Sequence, residues 1–99
     1  MPVYAVWESH FPLEAAAEGR AATEAIWRDM LAFDGYVSHA LIEDLDDPGH
    51  LLVLGQWASR AHADDAVRRY AGHPNVARVN ELLATPRTRF VGQALAAAA

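Results

Sequence analysis

Apolar and polar residues alternate from Pro2 to about His10 with the period of about 2 that marks a strand. Val3, Ala5, Trp7 and Ser9 fall on one face of it, and Tyr4, Val6, Glu8 and His10 on the other. From Pro12 to about Ala32 the period lengthens to about 3.6, and Ala22, Ile26, Met30 and Phe33 make an apolar helical stripe that Trp27 and Leu31 widen. Gly19 weakens the first half of this helix, and Asp34-Gly35 ends it. A second strand runs from Tyr36 to about Leu45, and Asp46-Asp47-Pro48-Gly49 has the residue types of a hairpin turn. The third strand, Leu51 to Ser59, is apolar on both faces. Leu51, Val53 and Trp57 line one, and Leu52, Leu54 and Ala58 the other. A sheet in a small domain has helices enough for one face only, so the second face calls for another subunit.

Ser59 is placed to cap a second helix carrying Ala63, Ala66, Val67 and Tyr70 on its apolar side. Gly72-His73-Pro74 interrupts that helix, and Pro74 can open a further segment with Val76, Val79, Leu82 and Leu83 as its stripe. After Thr85-Pro86, a fourth strand is predicted from Arg87 to about Ala94, and the tail Ala96 to Ala99 is expected to fray. The order is βαββαβ, an α+β ferredoxin-like arrangement: a four-stranded antiparallel sheet with helices on one face.

With 99 residues, 53% of them hydrophobic, a single domain spanning 1–99 is expected. There is no cysteine, which removes thiol catalysis and thiolate metal sites. The formal charge is −5, with eight arginines and no lysine, so a nucleic-acid partner is not expected. No apolar run is long enough for a membrane span, and Met1-Pro2-Val3-Tyr4 does not open a signal segment; a soluble cytoplasmic protein is the expectation.

Phe33-Asp34-Gly35-Tyr36, the Asp-Asp-Pro-Gly turn and Gly55-Gln56-Trp57-Ala58-Ser59 followed at once by a helix together resemble the antibiotic biosynthesis monooxygenase family. The resemblance runs from about Val3 to Leu95. It implies a dimeric α+β barrel, in which two sheets meet face to face and cover each other. It also implies that Trp57 is similar to a strand tryptophan lining the substrate cleft of relatives. Haem-degrading relatives use a first-strand asparagine, a tryptophan in the second helix and a later histidine; here Ser9, Ala66 and His73 stand nearest those places, so two of the three are missing and haem degradation is only a third reading.

His73, at the break between two helical segments, is the candidate general base, since an imidazole can take a proton from a phenol or enol near neutral pH. Trp57 is the candidate stacking wall and oxyanion donor. Tyr70, Asn75 and His10 are candidate substrate-binding residues. The alternative for each is a packing, capping or surface role. Arg87 and Arg89 share a face of the last strand, where a rim or dimer ion pair is expected and an anion site is the alternative. No two histidines have the spacing of a metal site, and neither a phosphate-cradling loop nor a dinucleotide fingerprint is present, so neither metal nor cofactor is expected. The function expected is a cofactor-independent monooxygenase acting on an electron-rich aromatic or enolisable small molecule, the alternative being a non-catalytic dimeric binding or protein-stabilising module.

Overall fold

A computed structural model of the chain describes residues 2–96; Ala97 to Ala99, most of the expected frayed tail, lie outside the described residues. The elements run β1 (Val3–His10), a 3-10 turn (Leu13–Ala15), α1 (Ala16–Met30), β2 (Tyr36–Asp44), β3 (Asp47–Trp57), α2 (Arg60–Tyr70), α3 (Pro74–Leu82) and β4 (Thr88–Gly92). The sheet order is β2-β3-β1-β4, with every neighbouring pair antiparallel. This is the α+β ferredoxin-like fold the hydrophobic pattern predicts.

Alternation along β3 sorts its side chains cleanly. Gly49, Leu51, Val53, Gly55 and Trp57 are buried toward the helices, whereas His50, Leu52, Leu54 and Gln56 on the other face are half-buried. The hairpin lies elsewhere than expected. Leu45 and Asp46 form the two-residue turn, and Asp47-Pro48-Gly49 belongs to β3, where the register slips between the Glu43–Leu51 and Asp44–Asp47 pairs. The Asp47 carboxylate accepts the Gly49 N–H at 3.0 Å, and the Gly49 carbonyl accepts Phe11 N–H at 2.7 Å. The proline and glycine thus shape an irregular strand start against the neighbouring loop.

The core joins Ile26, Trp27 and Met30 of α1, Ala63, Ala66 and Tyr70 of α2, and Val79 of α3 to Ala5, Leu51, Val53 and Trp57 of the sheet. Leu31 is not part of it; α1 ends at Met30 and Leu31 stays exposed. Phe11 is buried in its place at the other end, its ring lying where a side chain at Gly19 would have to go. Gly19 therefore serves packing at some cost in helix propensity. At Gly55 a Cβ would overlap the Trp27 ring, so only glycine lets this indole approach the sheet so closely. Gly35, at φ +81°, supplies the left-handed turn after α1, and its carbonyl accepts Ala58 N–H at 2.7 Å. Ser59 caps α2 by accepting His62 N–H, and His73 caps α3 with Pro74 following it. Among the described residues no helix is long and apolar enough to cross a membrane.

Candidate functional site

Between the helices and the sheet lies a cavity of about 100 Å³. Trp57 and Ala5 form its floor, Ile26, Trp27 and Met30 one wall, Ala63, Ala66, Val67 and Tyr70 another, and Trp7, Val76 and Arg87 complete it. The lining is apolar except where Tyr70, Arg87 and the indoles bring polar atoms, a composition suited to a flat apolar molecule with polar groups at its rim. Trp7 and Trp27, which the sequence alone leaves to the core or an interface, are walls of this cavity.

Four polar side chains meet behind one wall. The Tyr70 hydroxyl donates to Asp29 Oδ2 at 2.5 Å and accepts from Asn75 Nδ2 at 3.1 Å. The His73 ring stacks on the Tyr70 ring, with centroids 4.4 Å apart and planes within 7°. Burial, reinforced by the bond to Asp29 and opposed by that from Asn75, pushes the Tyr70 phenol up to about 12, so it holds its proton at neutral pH. Tyr70 and Asn75, candidates named separately from the sequence, are brought together here, and Asp29 joins them from α1. No local pattern marks Asp29: it lies 41 residues from its partner.

His73 is placed differently from a direct base. It is not part of the cavity lining, and its Nδ1 accepts the Asn75 backbone N–H at 3.0 Å. A neutral imidazole with Nδ1 accepting carries its proton on Nε2, which faces Asp29 Oδ2 at 3.8 Å. Its one free electron pair is committed to the cap, so the geometry gives His73 the job of holding Tyr70 and α3 in place.

His10 lies apart from the cavity. It stacks on His50 across the β1–β3 register, at 4.4 Å and 7°, and Glu8 and Asp44 surround the pair. His50 Nε2 donates to Glu8 at 2.6 Å and Nδ1 to Asp44 at 2.8 Å. These bonds, Asp44 first, raise the His50 pKa, and the bond from His50 lowers that of Asp44. Ligand atoms of Glu8, His10 and His50 do fall within 4.8 Å of one another, which linear spacing could not reveal. Both nitrogens of His50 are hydrogen-bonded to carboxylates, so the arrangement in this structure is that of an ion-pair cluster.

The family model for antibiotic biosynthesis monooxygenases matches residues 2–79. The chain belongs to the antibiotic biosynthesis monooxygenase family. No curated protein sequence matches it. Among solved structures, Rv0793 from Mycobacterium tuberculosis is 28% identical, with a TM-score of 0.79 over 100% of both chains. SnoaB from Streptomyces nogalater, described as a cofactor-independent oxygenase, is 16% identical with a TM-score of 0.86, covering 97% of this chain and 95% of its own. A further antibiotic biosynthesis monooxygenase superimposes with a TM-score of 0.83 at 17% identity, over 95% and 99% of the two chains. At such identities the likeness to these last two structures is one of fold.

Proposed function

We propose that this protein is a cofactor-independent monooxygenase of the antibiotic biosynthesis monooxygenase family, acting as a homodimer on an electron-rich aromatic or enolisable small molecule. The observation that carries the proposal is the indole-walled cavity with the Tyr70 hydroxyl network at its edge. The description of SnoaB as a cofactor-independent oxygenase supports the same reaction class.

The chemistry asks little of the protein. A substrate with an acidic O–H or C–H loses a proton, and the resulting anion gives one electron to dioxygen. The two radicals combine to form a C–O bond. In the peroxide so formed the second hydrogen of that carbon then leaves as a proton while the O–O bond breaks, so the carbon becomes a carbonyl and the outer oxygen departs as hydroxide, which takes up a proton to become water. Dioxygen is the only oxidant, and the CH₂ carbon, or in a phenol the ring C–H carbon ortho or para to its oxygen, supplies the electrons. Trp57, Trp27 and Trp7 hold the flat ring in a dry site, which strengthens every electrostatic contact inside. The Tyr70 hydroxyl, protonated at neutral pH, relays the substrate proton to the Asp29 carboxylate, which is the base, taking one proton as it gives up its own, and Asn75 fixes the phenol's direction. His73 positions Tyr70 by stacking on it.

Oxygen uptake with a panel of anthrones and hydroquinones tests this. Wild-type protein is expected to consume oxygen with at least one, and Tyr70→Phe to slow it by about 10²–10⁴-fold, the range of general-base contributions. Trp57→Phe keeps an aromatic wall and deletes the indole donor, so it should lower turnover with the fold retained. No oxygen uptake with any compound, alongside saturable binding, would replace the oxygenase reading by that of a binding module.

A further inference from the structure

Six of the eight arginines, Arg20, Arg60, Arg68, Arg69, Arg78 and Arg89, pair with carboxylates. Among the described residues Arg28 and Arg87 have no such partner. Arg28 is exposed on α1, where water solvates it. Arg87 is half-buried and lines the apolar cavity. Its guanidinium carbon lies 4.5 Å from the centroid of the Trp7 ring, and that of Arg89 lies 5.4 Å from the same ring. Trp7 and Arg87 also line a shallower groove beside Asn80, Leu83 and Pro86, which puts them where the cavity meets the surface.

A guanidinium in such a place has lost hydration without gaining a carboxylate. Burial pushes the Arg87 pKa below the usual arginine range, yet the group stays charged because that range is so high. The cation–π contact with Trp7 offsets part of the lost hydration and leaves the N–H edge without an anion. Arg89, beside the same indole, carries a buried donor without a partner. Its Nη2 is held by Asp64 at 2.9 Å, but its buried Nε has no hydrogen-bond partner. Buried donors of this kind are costly unless something accepts from them.

We propose that the cavity together with the groove that adjoins it at Trp7 and Arg87 takes an aromatic compound bearing a carboxylate, and that Arg87, where the two meet, holds that carboxylate while the rings of Trp7, Trp27 and Trp57 hold the aromatic part. The fork of N–H donors on a guanidinium matches the two oxygens of a carboxylate, and partial burial beside the indole strengthens the pairing. Tyr70 is left to face the reacting end. The inference rests on the oxygenase reading only for what happens after binding.

Isothermal titration of the folded chain with 2-naphthoate and its neutral isostere 2-naphthamide tests the assignment. Wild-type protein is expected to prefer the carboxylate by about ten- to hundredfold, the effect of one hydrogen-bonded charge pair. Arg87→Gln should abolish that preference and leave naphthamide binding within about twofold, whereas Arg28→Gln should change neither. Equal affinity of the wild type for both probes, no binding of naphthoate, or an unchanged preference in Arg87→Gln would overturn it. Thermal unfolding of the wild type with each probe needs no variant: a larger upward shift with naphthoate supports the site, and equal shifts overturn it. Binding is read here without turnover. Naphthoate held through Arg87 in a protein that never consumes oxygen removes the oxygenase reading alone, and oxygen uptake without any carboxylate preference removes this site alone.

Discussion

Tyr70 spends its hydroxyl proton on Asp29 and a lone pair on Asn75, so Tyr70→Phe deletes two hydrogen bonds while keeping the ring against the cavity and against His73. Asp29 is half-exposed and can be rehydrated, which limits the stability cost to about 1 kcal/mol by urea denaturation, far less than the expected loss of turnover. A variant that lost stability and activity in proportion would make Tyr70 a packing residue only. Gly55 carries the opposite kind of constraint. Gly55→Ala drives a methyl into the Trp27 ring, and overpacking of this kind costs about 1–3 kcal/mol, with the cavity wall displaced. Urea midpoints and the tryptophan emission maximum read both effects.

At the scale of elements, the cap of α2 and the cross-strand ion cluster are separable contributions. Ser59→Ala leaves the His62 N–H at the first turn without its acceptor and should cost about 1 kcal/mol in urea denaturation, without altering the sheet. The cluster that ties β1 to the β2–β3 hairpin gives a pH signature. The folded pKa of His50 is raised, so its contribution is complete below the ordinary histidine range and is lost as pH rises through the raised value. The folded pKa of Asp44 is lowered, so its contribution is present above the ordinary aspartate range and is lost as pH falls through the lowered value. Between those limits both charges are present, with Glu8 on the far side of the imidazolium and His10 stacked against it. His50→Gln should therefore cost more stability at about pH 5.5 than at about pH 9, by chemical denaturation at both. An equal cost at the two would show that the imidazolium contributes nothing.

For the whole molecule, the sheet's outer face dominates. Leu52 and Leu54 of β3 stand there with Tyr4 and Val6 of β1, Ile42 of β2 and Phe90 of β4, the last 63% exposed. Each large apolar side chain removed from water contributes roughly 1.5–3 kcal/mol, so a second copy covering this face gains many kcal/mol. Sedimentation equilibrium at micromolar concentration is expected to give a dimer, and Leu54→Glu a less stable monomer. A wild-type monomer would leave the outer face open to water and remove the homodimer from the proposal.

The periodicities of β1, β3 and the three helices, the caps at Ser59 and His73 and the βαββαβ order were legible in the sequence, because each is a local consequence of side-chain spacing and backbone preference. The boundaries were less so: Asp-Asp-Pro-Gly has turn composition, but the strand partner and the contact from Phe11 decide that Leu45-Asp46 turns the chain. Trp57 and Tyr70 could be singled out one by one. That they share a cavity with Trp7, Trp27 and Arg87 depends on how α1 and α2 cross the sheet, and no residue spacing encodes that crossing. The same holds for the partners of polar groups. Asp29 with Tyr70, Glu8 and Asp44 with His50, and Arg89 with Asp64 are brought together over long stretches of chain by tertiary packing. Hydrophobic pattern selects the fold because burial acts on every residue of an element at once. The chemistry depends on a few distances, which only the packed structure decides.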